Sequence, residues 1–364
     1  MNPKLGICFA LACIIAAGGA YGCHSSTTAT VTPTPTATGT GPDTLYVQTA
    51  QGNTSGQVRI YQHVSTADGF IVAAAVLPTS DISNPDVVFS PVYQVLWYPS
   101  AYPQPSPGMD LSTPIRIWDN PISDGGMNPN VLVPYKNGQG TATYDVNHDL
   151  LYVANVNGPT IQVFADAHAL TSSSTAAANI TLTITDPNVV GTPRAAEMLY
   201  DPTTDRLFVS DLGQVVAAFD SFGTQAATAV ADSTNPTIPA SREMSGLFAP
   251  QGMAYSEPND VLYVSEHHLV NGQTIGRIDV VHNASTASGI VAHNQIINGF
   301  TSGPAGMTYD AVRDLLFAYD GAIIWVIPNP ENASGAVSNI TNHREIGDAS
   351  VSLAGFGITV DTTH

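Results

Sequence analysis

Pairs of aspartates four residues apart recur along this chain, at Asp145/Asp149, Asp201/Asp205 and Asp310/Asp314. Two carboxyls at short range are what acid–base hydrolysis uses. Each pair, however, brackets a short polar stretch between two apolar runs, where aspartate satisfies the backbone donors of a tight turn. Recurrence at turn after turn is what scaffolding does; a reaction centre needs its pair once. A second set is defined by position. Asn155, Asp211, Glu266 and Asp320 each end an apolar run of the "LYV" type, with Thr49 and Ser100 at the matching places. If those run ends converge, their oxygens suit a hard cation such as Ca²⁺ or a polar ligand. If they do not, each side chain caps its own loop. Calcium is the only cofactor this set suggests.

His267 follows Glu266 directly, in "SEHHLVNGQ" (265–273), a stretch with the length of an extended loop. Neighbouring residues of an extended chain point in opposite directions, so Glu266, His267 and His268 do not share one metal. No H-x-x-x-H or C-x-x-C spacing supports zinc, and no metal ligand is assigned. There is no G-x-S-x-G elbow, S-x-x-K, P-loop or C-x-x-C-H either. No catalytic residue is named on this basis, and the enzyme question stays open with the weight on the side of no enzyme.

The elements that position these residues come from a repeat. "TATYDVNHDLLYVANV" (141–156) matches "EMLYDPTTDRLFVSDL" (197–212), "GMAYSEPNDVLYVSEH" (252–267) and "GMTYDAVRDLLFAYDG" (306–321), with a degenerate copy, "DVVFSPVYQVLWYPS", at 86–100. The anchoring aromatics Phe89, Tyr144, Tyr200, Tyr255 and Tyr309 are spaced by 55, 56, 55 and 54 residues. Short alternating apolar runs, dense Gly and Pro, and no apolar 3.6-residue period over three or more turns make this an all-β chain with no long helix. A period of this size in such a chain signals a propeller or solenoid.

The ending decides between them. "GFGITVD" aligns with "PAGMTYD", placing Val360 at the aromatic position. The second and third strands of that unit stand at the other end, in "PDTLYVQTA" (42–50) and "VRIYQHV" (58–64). A ring uses such a split repeat to close on itself and remove its sheet edges. The expected fold is therefore a six-bladed β-propeller, one blade closed by the C-terminal inner strand joining the N-terminal strands.

With "LYVAN" (151–155) and "APQGMAYSEPNDVLYVSE" (249–266) in view, the chain resembles the NHL and YVTN-type propeller repeats. The resemblance implies architecture more than activity. The regucalcin and gluconolactonase-like propellers are also six-bladed, and would place Asn or Asp just before the Gly of inner strands to hold a divalent metal. Those places here hold Gly140, Ala196, Gln251, Ala305 and Phe356, so that lactonase site is not expected.

Formal charge is −19, and Lys4 and Lys136 are the only lysines. Such a surface repels phosphate backbones, which excludes nucleic acid as a partner, and offers no basic patch to lipid headgroups. All cysteines (Cys8, Cys13, Cys23) lie in "MNPKLGICFALACIIAAGGAYGC". A single cation, an apolar run over 7–17 and small residues read as a signal peptide over 1–22. "AYGC" resembles a bacterial lipobox, which implies lipid attachment at Cys23. His24 after the cysteine favours the outer membrane or cell surface. Residues 23–42 form a Thr/Pro-rich tether and 43–364 the propeller domain.

The sequence reading is thus a membrane-anchored extracytoplasmic module that binds a protein or glycan through its top-face loops. Asn155, Asp211, Glu266, His267 and Asp320 are the candidate contacts, and the Tyr- and Pro-rich insertion at 98–114 lies on the same face. Two alternatives accompany it: a metal-dependent propeller hydrolase or lactonase, and a surface-layer or adhesion component.

Overall fold

The structure is a computed structural model that describes residues 43–51, 55–79, 86–99, 113–123, 128–135, 141–155, 158–170, 178–186, 195–211, 214–270, 273–301, 303–321, 323–348 and 357–362. Cys23, the signal and tether segments, and positions 100–112 of the insertion lie outside the described residues. The strands form six sheets. Each is a blade in which four antiparallel strands run outward from the axis, so the protein is a six-bladed β-propeller.

Register is the same in every blade. The aromatic position of the inner strand pairs with a leucine of the second strand: Phe89 with Leu96, Tyr144 with Leu151, Tyr200 with Leu207, Tyr255 with Leu262 and Tyr309 with Leu316. In blade 1 the pair is Val360 with Leu45, because Ile358–Asp361 supplies the inner strand beside Thr44–Gln51. The ring is closed across its termini, as the split repeat requires.

Second strands are apolar on both sides because each side faces another blade. In blade 3, Leu150 and Tyr152 enter the cluster shared with blade 4, whereas Leu151 and Val153 enter the cluster shared with blade 2. One buried apolar cluster of this kind fills each of the six interfaces.

The aspartate pairs build the turns between inner and second strands. The first member accepts backbone N–H groups two and three residues on: Asp145 from Asn147 (2.9 Å) and His148 (3.2 Å), Asp310 from Val312 (2.9 Å) and Arg313 (3.1 Å). The second member sits in the left-handed region, with φ of 53° at Asp149, 52° at Asp205, 50° at Asp260 and 53° at Asp314. Aspartate tolerates that conformation better than most residues. Its carboxylate receives the anchoring tyrosine hydroxyl five residues back, at 2.8–2.9 Å in all four cases. The carboxylates of Asp149, Asp205 and Asp260 then bind the turn after the third strand; Asp260 accepts the amide and hydroxyl of Ser285, both at 2.7 Å. Asp43 does the same with Ser65, so it fills the place of Asp149 in the split blade.

Blades 3 to 6 carry a fifth, parallel strand donated by the next blade in the ring. The connection between that blade's third and fourth strands reaches back to lie beside the fourth strand of its predecessor. Thr237–Pro239 joins blade 3, Gly289–Ile290 blade 4, Gly335–Ala336 blade 5, and Gly69–Phe70 of blade 1 joins blade 6. These latches were not expected from the sequence. Blade 4's connection also holds the one α-helix among the described residues, Phe222–Asp232, which packs Phe222 against Tyr152 and Phe219.

The seam between blades 6 and 1 has its own polar tie. Arg59 of blade 1, 7% exposed, bonds Asp348 at 2.7 Å, and Tyr61 donates its hydroxyl to the same carboxylate at 3.0 Å. Removing one partner of a buried pair strands the other charge. Arg59→Met is therefore expected to lower unfolding free energy by about 3 kcal/mol, read from urea unfolding of the folded chain.

Candidate functional site

Three residues before the aromatic anchor, the inner strands diverge. Blades 2, 3 and 4 have Asp86, Thr141 and Glu197 there; blades 5, 6 and 1 have Gly252, Gly306 and Gly357. The polar half hooks each blade to the next. Asp86 Oδ2 accepts the Ala142 amide at 2.9 Å and the Thr141 hydroxyl. Thr141 Oγ1 accepts the Met198 amide at 3.0 Å, and Glu197 Oε2 accepts the Met253 amide at 3.0 Å. In the glycine half the backbones meet directly. A β-carbon at Gly252 would stand 3.0 Å from the Ala305 carbonyl oxygen, closer than side chains normally come.

These strands enclose an axial cavity of about 380 Å³ lined by all six blades. Its lining includes Asp86 and Glu197 with the inner-strand positions Tyr144, Tyr255 and Tyr309, whereas Phe89, Met198, Met253 and Met307 border it from strands whose side chains there are buried in the inter-blade clusters. Burial pushes the Asp86 carboxyl up to about 6, against the pull of Thr141 and Ala142. Burial, then the charge of Asp86, raises Glu197 well above the usual carboxylate range. The lactonase-type ligand position in blade 4 is Ala196, so that pattern does not point to Glu197 beside it. The signal was present in the register: three polar residues followed by three glycines at one repeat position.

The predicted top-face residues hold equivalent places on the second strands of blades 3 to 6: Asp211 and Asp320 end theirs, Asn155 follows Ala154, and Glu266 lies within the longer Val261–Val270. Glu266, fully buried, accepts the Phe248 amide at 2.8 Å through Oε1 and the Arg277 guanidinium at 2.5–2.6 Å through Oε2. Asp320, 3% exposed, accepts the Thr301 amide at 2.5 Å. Phe248 and Thr301 both lie in the connection entering the blade, so each carboxylate fastens the loop that precedes its own inner strand. Asn155 is half-buried and closes a turn through its carbonyl, which accepts the Gly158 amide at 3.0 Å. Asp211 closes the second strand of blade 4, opposite Ala195 and Val215.

His267 and His268 are strand residues rather than loop residues. Val261–Val270 and Gln273–His282 pair over ten residues each, placing His267 opposite Gly276 and His268 opposite Ile275. Alternation puts the two rings on opposite sides, as an extended chain must. His267 packs against Gly303, and burial lowers its pKa. His268 packs at a tilt of 58° against Phe248, with centroids 4.2 Å apart.

Beside Glu266 lies a charge cluster that local spacing did not reveal. Glu266, Asp279 and His293 each bring one ligand-type atom within 4.8 Å of the others. Arg277 supplies the cluster's positive charge, lying 3.6 Å from Asp279 and packed over the Phe248 ring at 5.6 Å. A metal ion would have to displace this guanidinium. His293 donates through Nε2 to the Gly246 carbonyl (3.1 Å) and keeps Nδ1 3.0 Å from Asp279. Burial first, and Asp279 second, push Glu266 up to about 7.

No protein-family model matches this sequence, and no curated protein does. Among solved structures, a chain in the crystal structure of a nidogen/laminin complex superposes with a TM-score of 0.52 over 89% of this chain and 100% of its own, at 13% identity. At that identity the likeness bears on fold alone.

The Asp86 carboxyl gives a test of the axial site. A folded-state pKa raised from 3.8 to about 6 contributes stability that is present below 3.8 and lost as pH rises through 6. Asp86→Asn keeps an acceptor for Ala142 and removes the desolvated charge. It should match the parent near pH 4 and exceed it by roughly 1–2 kcal/mol above pH 6.5, measured by unfolding at the two pH values.

Proposed function

We propose that this chain is a lipid-anchored, extracytoplasmic binding module, held through Cys23 and the 24–42 tether, that presents its top-face loops to a protein or glycan partner. The observation that carries the reading is the second-to-third-strand hairpin of blade 5. Its ten-residue strands are the longest described, and they extend past the turn positions of the neighbouring blades. At its base Phe248 and Ile275 remain 39% and 40% exposed, beside the imidazole of His268. Exposed apolar groups around polar rings on a rigid scaffold are what a contact surface is made of. The similarly folded chain of the nidogen/laminin complex belongs to a protein–protein assembly, which suits the same reading.

The carboxylates of Glu266 and Asp320 favour structure over metal chemistry. Glu266 is engaged by Arg277 and a backbone amide, and Asp320 by another amide. The hydrolase alternative would draw support from a saturable, calcium-dependent rise in melting temperature that chelator reverses. The binding-module reading expects no such rise. Its direct test replaces residues 268–275 with Asn-Gly, which joins His267 to Gly276 through a two-residue turn. This variant should melt within a few degrees of the parent and lose the species that the parent cross-links in envelope extracts. Retention of that species by the shortened chain would sink the assignment to this hairpin.

A further inference from the structure

Beside Phe248, the charge cluster of blade 5 holds an unbalanced set of groups. Glu266 comes from the second strand, Arg277 and Asp279 from the third, and His293 from the connection to the fourth. Two buried carboxylates share one guanidinium, which lies 2.5 Å from Glu266 and 3.6 Å from Asp279. Among the described residues, no other arginine or lysine pairs with either. On the fourth strand, Asn298 stands opposite Arg277 and Ile296 opposite Asp279. Val264, opposite Asp279 on the second strand, belongs to the apolar cluster shared with Val216 and Met244 of blade 4. His268, against Phe248, is the further titratable group here.

His293 meets an acceptor on each side. Its Nε2 lies 3.1 Å from the Gly246 carbonyl and its Nδ1 3.0 Å from Asp279 Oδ1. A neutral imidazole carries one N–H and the imidazolium two. A carbonyl oxygen only accepts, so Nε2 must hold a proton, and a neutral ring would then aim its Nδ1 lone pair at a carboxylate oxygen. Arg277 Nη2, at 3.4 Å from Nδ1, is farther away than that oxygen. Moving the single proton to Nδ1 would serve Asp279 and abandon Gly246. Both contacts hold together only while a second proton occupies the Nδ1–Oδ1 contact, and that proton also balances the second carboxylate.

We propose that this cluster is a proton-operated clasp: a proton between His293 and Asp279 ties the connection that carries Gly246 and Phe248 to blade 5, and its loss at mildly alkaline pH releases that connection. The clasp joins three segments. His293 stands three residues past Ile290 of the latch, the Val291 amide donates to the Ser245 carbonyl at 2.9 Å, and a β-carbon at Gly246 would stand 3.3 Å from Ile290 Cγ2. Release therefore loosens the seam between blades 4 and 5 at the base of the long hairpin. Burial first and Asp279 second push Glu266 up to about 7, which is the same excess of negative charge felt at another member of the cluster. The clasp is closed at low pH and opens as pH rises, the sense expected wherever the tied form binds a proton that the released form gives up. It stands whether or not the hairpin engages a partner.

Amide hydrogen exchange of the full chain at pH 5.5 and pH 8.5, corrected for the intrinsic pH dependence of exchange, tests the clasp. In the parent, the segments 244–250 and 288–294 should exchange about tenfold faster at the higher pH, while the third strand of blade 3, Thr160–Ala165, stays unchanged. Asp279→Asn supplies an N–H to a neutral Nδ1 and lets Nε2 keep Gly246, so both segments should stay slow at both pH values. A parent whose corrected exchange in 244–250 does not respond to pH would overturn the proposal. So would equal acceleration in Asp279→Asn, because the controlling proton would then lie elsewhere. Acceleration of Thr160–Ala165 to the same extent would overturn it as well, since the loosening would be general. The comparison of segments within the parent stands even where the variant fails to fold.

Discussion

Everything in this molecule depends on one antiparallel pairing, four residue pairs long, between Thr44–Val47 and Ile358–Asp361. It is a ladder between chain segments more than three hundred residues apart, and it turns an open stack of sheets into a ring. In the ring every second strand has a blade on each side, so its all-apolar sequence becomes an interior rather than a hazard. The Arg59–Tyr61–Asp348 tie and the Gly69–Phe70 latch reinforce that seam at larger radius. The closure is thus made at the axis, in mid-blade and at the rim.

Much of this was legible because the repeat is written in residues that do one job each. The aromatic anchor pairs with leucine in blade after blade, and the turn aspartates have a conformational reason to recur that nothing else in the sequence competes with. Val360 could be placed although it is not aromatic, because the flanking "GITVD" kept the register. The latches were not legible. They are two or three residues long, such as Gly289–Ile290, and a short extended segment has no period to read. The charge cluster of Glu266, Arg277, Asp279 and His293 escaped for another reason: Glu266 and Arg277 face each other only once a ten-residue hairpin is assembled. The stretch holding His267 read as a loop because glycine and asparagine follow it closely, whereas its strands continue to Val270.

The strong negative charge of the chain is distributed unevenly in its effects. Turn aspartates such as Asp145, Asp205 and Asp260 sit among backbone amides and hydroxyls that donate to their carboxylates. Asp220 is clasped by Arg206 and Arg242. Asp86 and Glu197 are different: Asp86 is met by the Ala142 amide and the Thr141 hydroxyl and Glu197 by the Met253 amide, and no arginine or lysine among the described residues pairs with either. An acidic protein can therefore carry most of its charge as scaffold and leave only a small fraction in a state of electrostatic need.

The backward-reaching latches bear on how the chain comes to be folded. During synthesis from the N-terminus, the outer edges of blades 3 to 5 are each completed only when the following blade exists, so those sheets mature one step behind the growing chain. Blade 6 is the exception, since its outer strand comes from residues made near the start. Blade 1, made first, waits longest, because its inner strand is the last to be made. Contacts of such sequence separation form slowly. Until then the apolar second strand at Thr44–Gln51 lacks its inner neighbour and must be kept from pairing elsewhere for that interval.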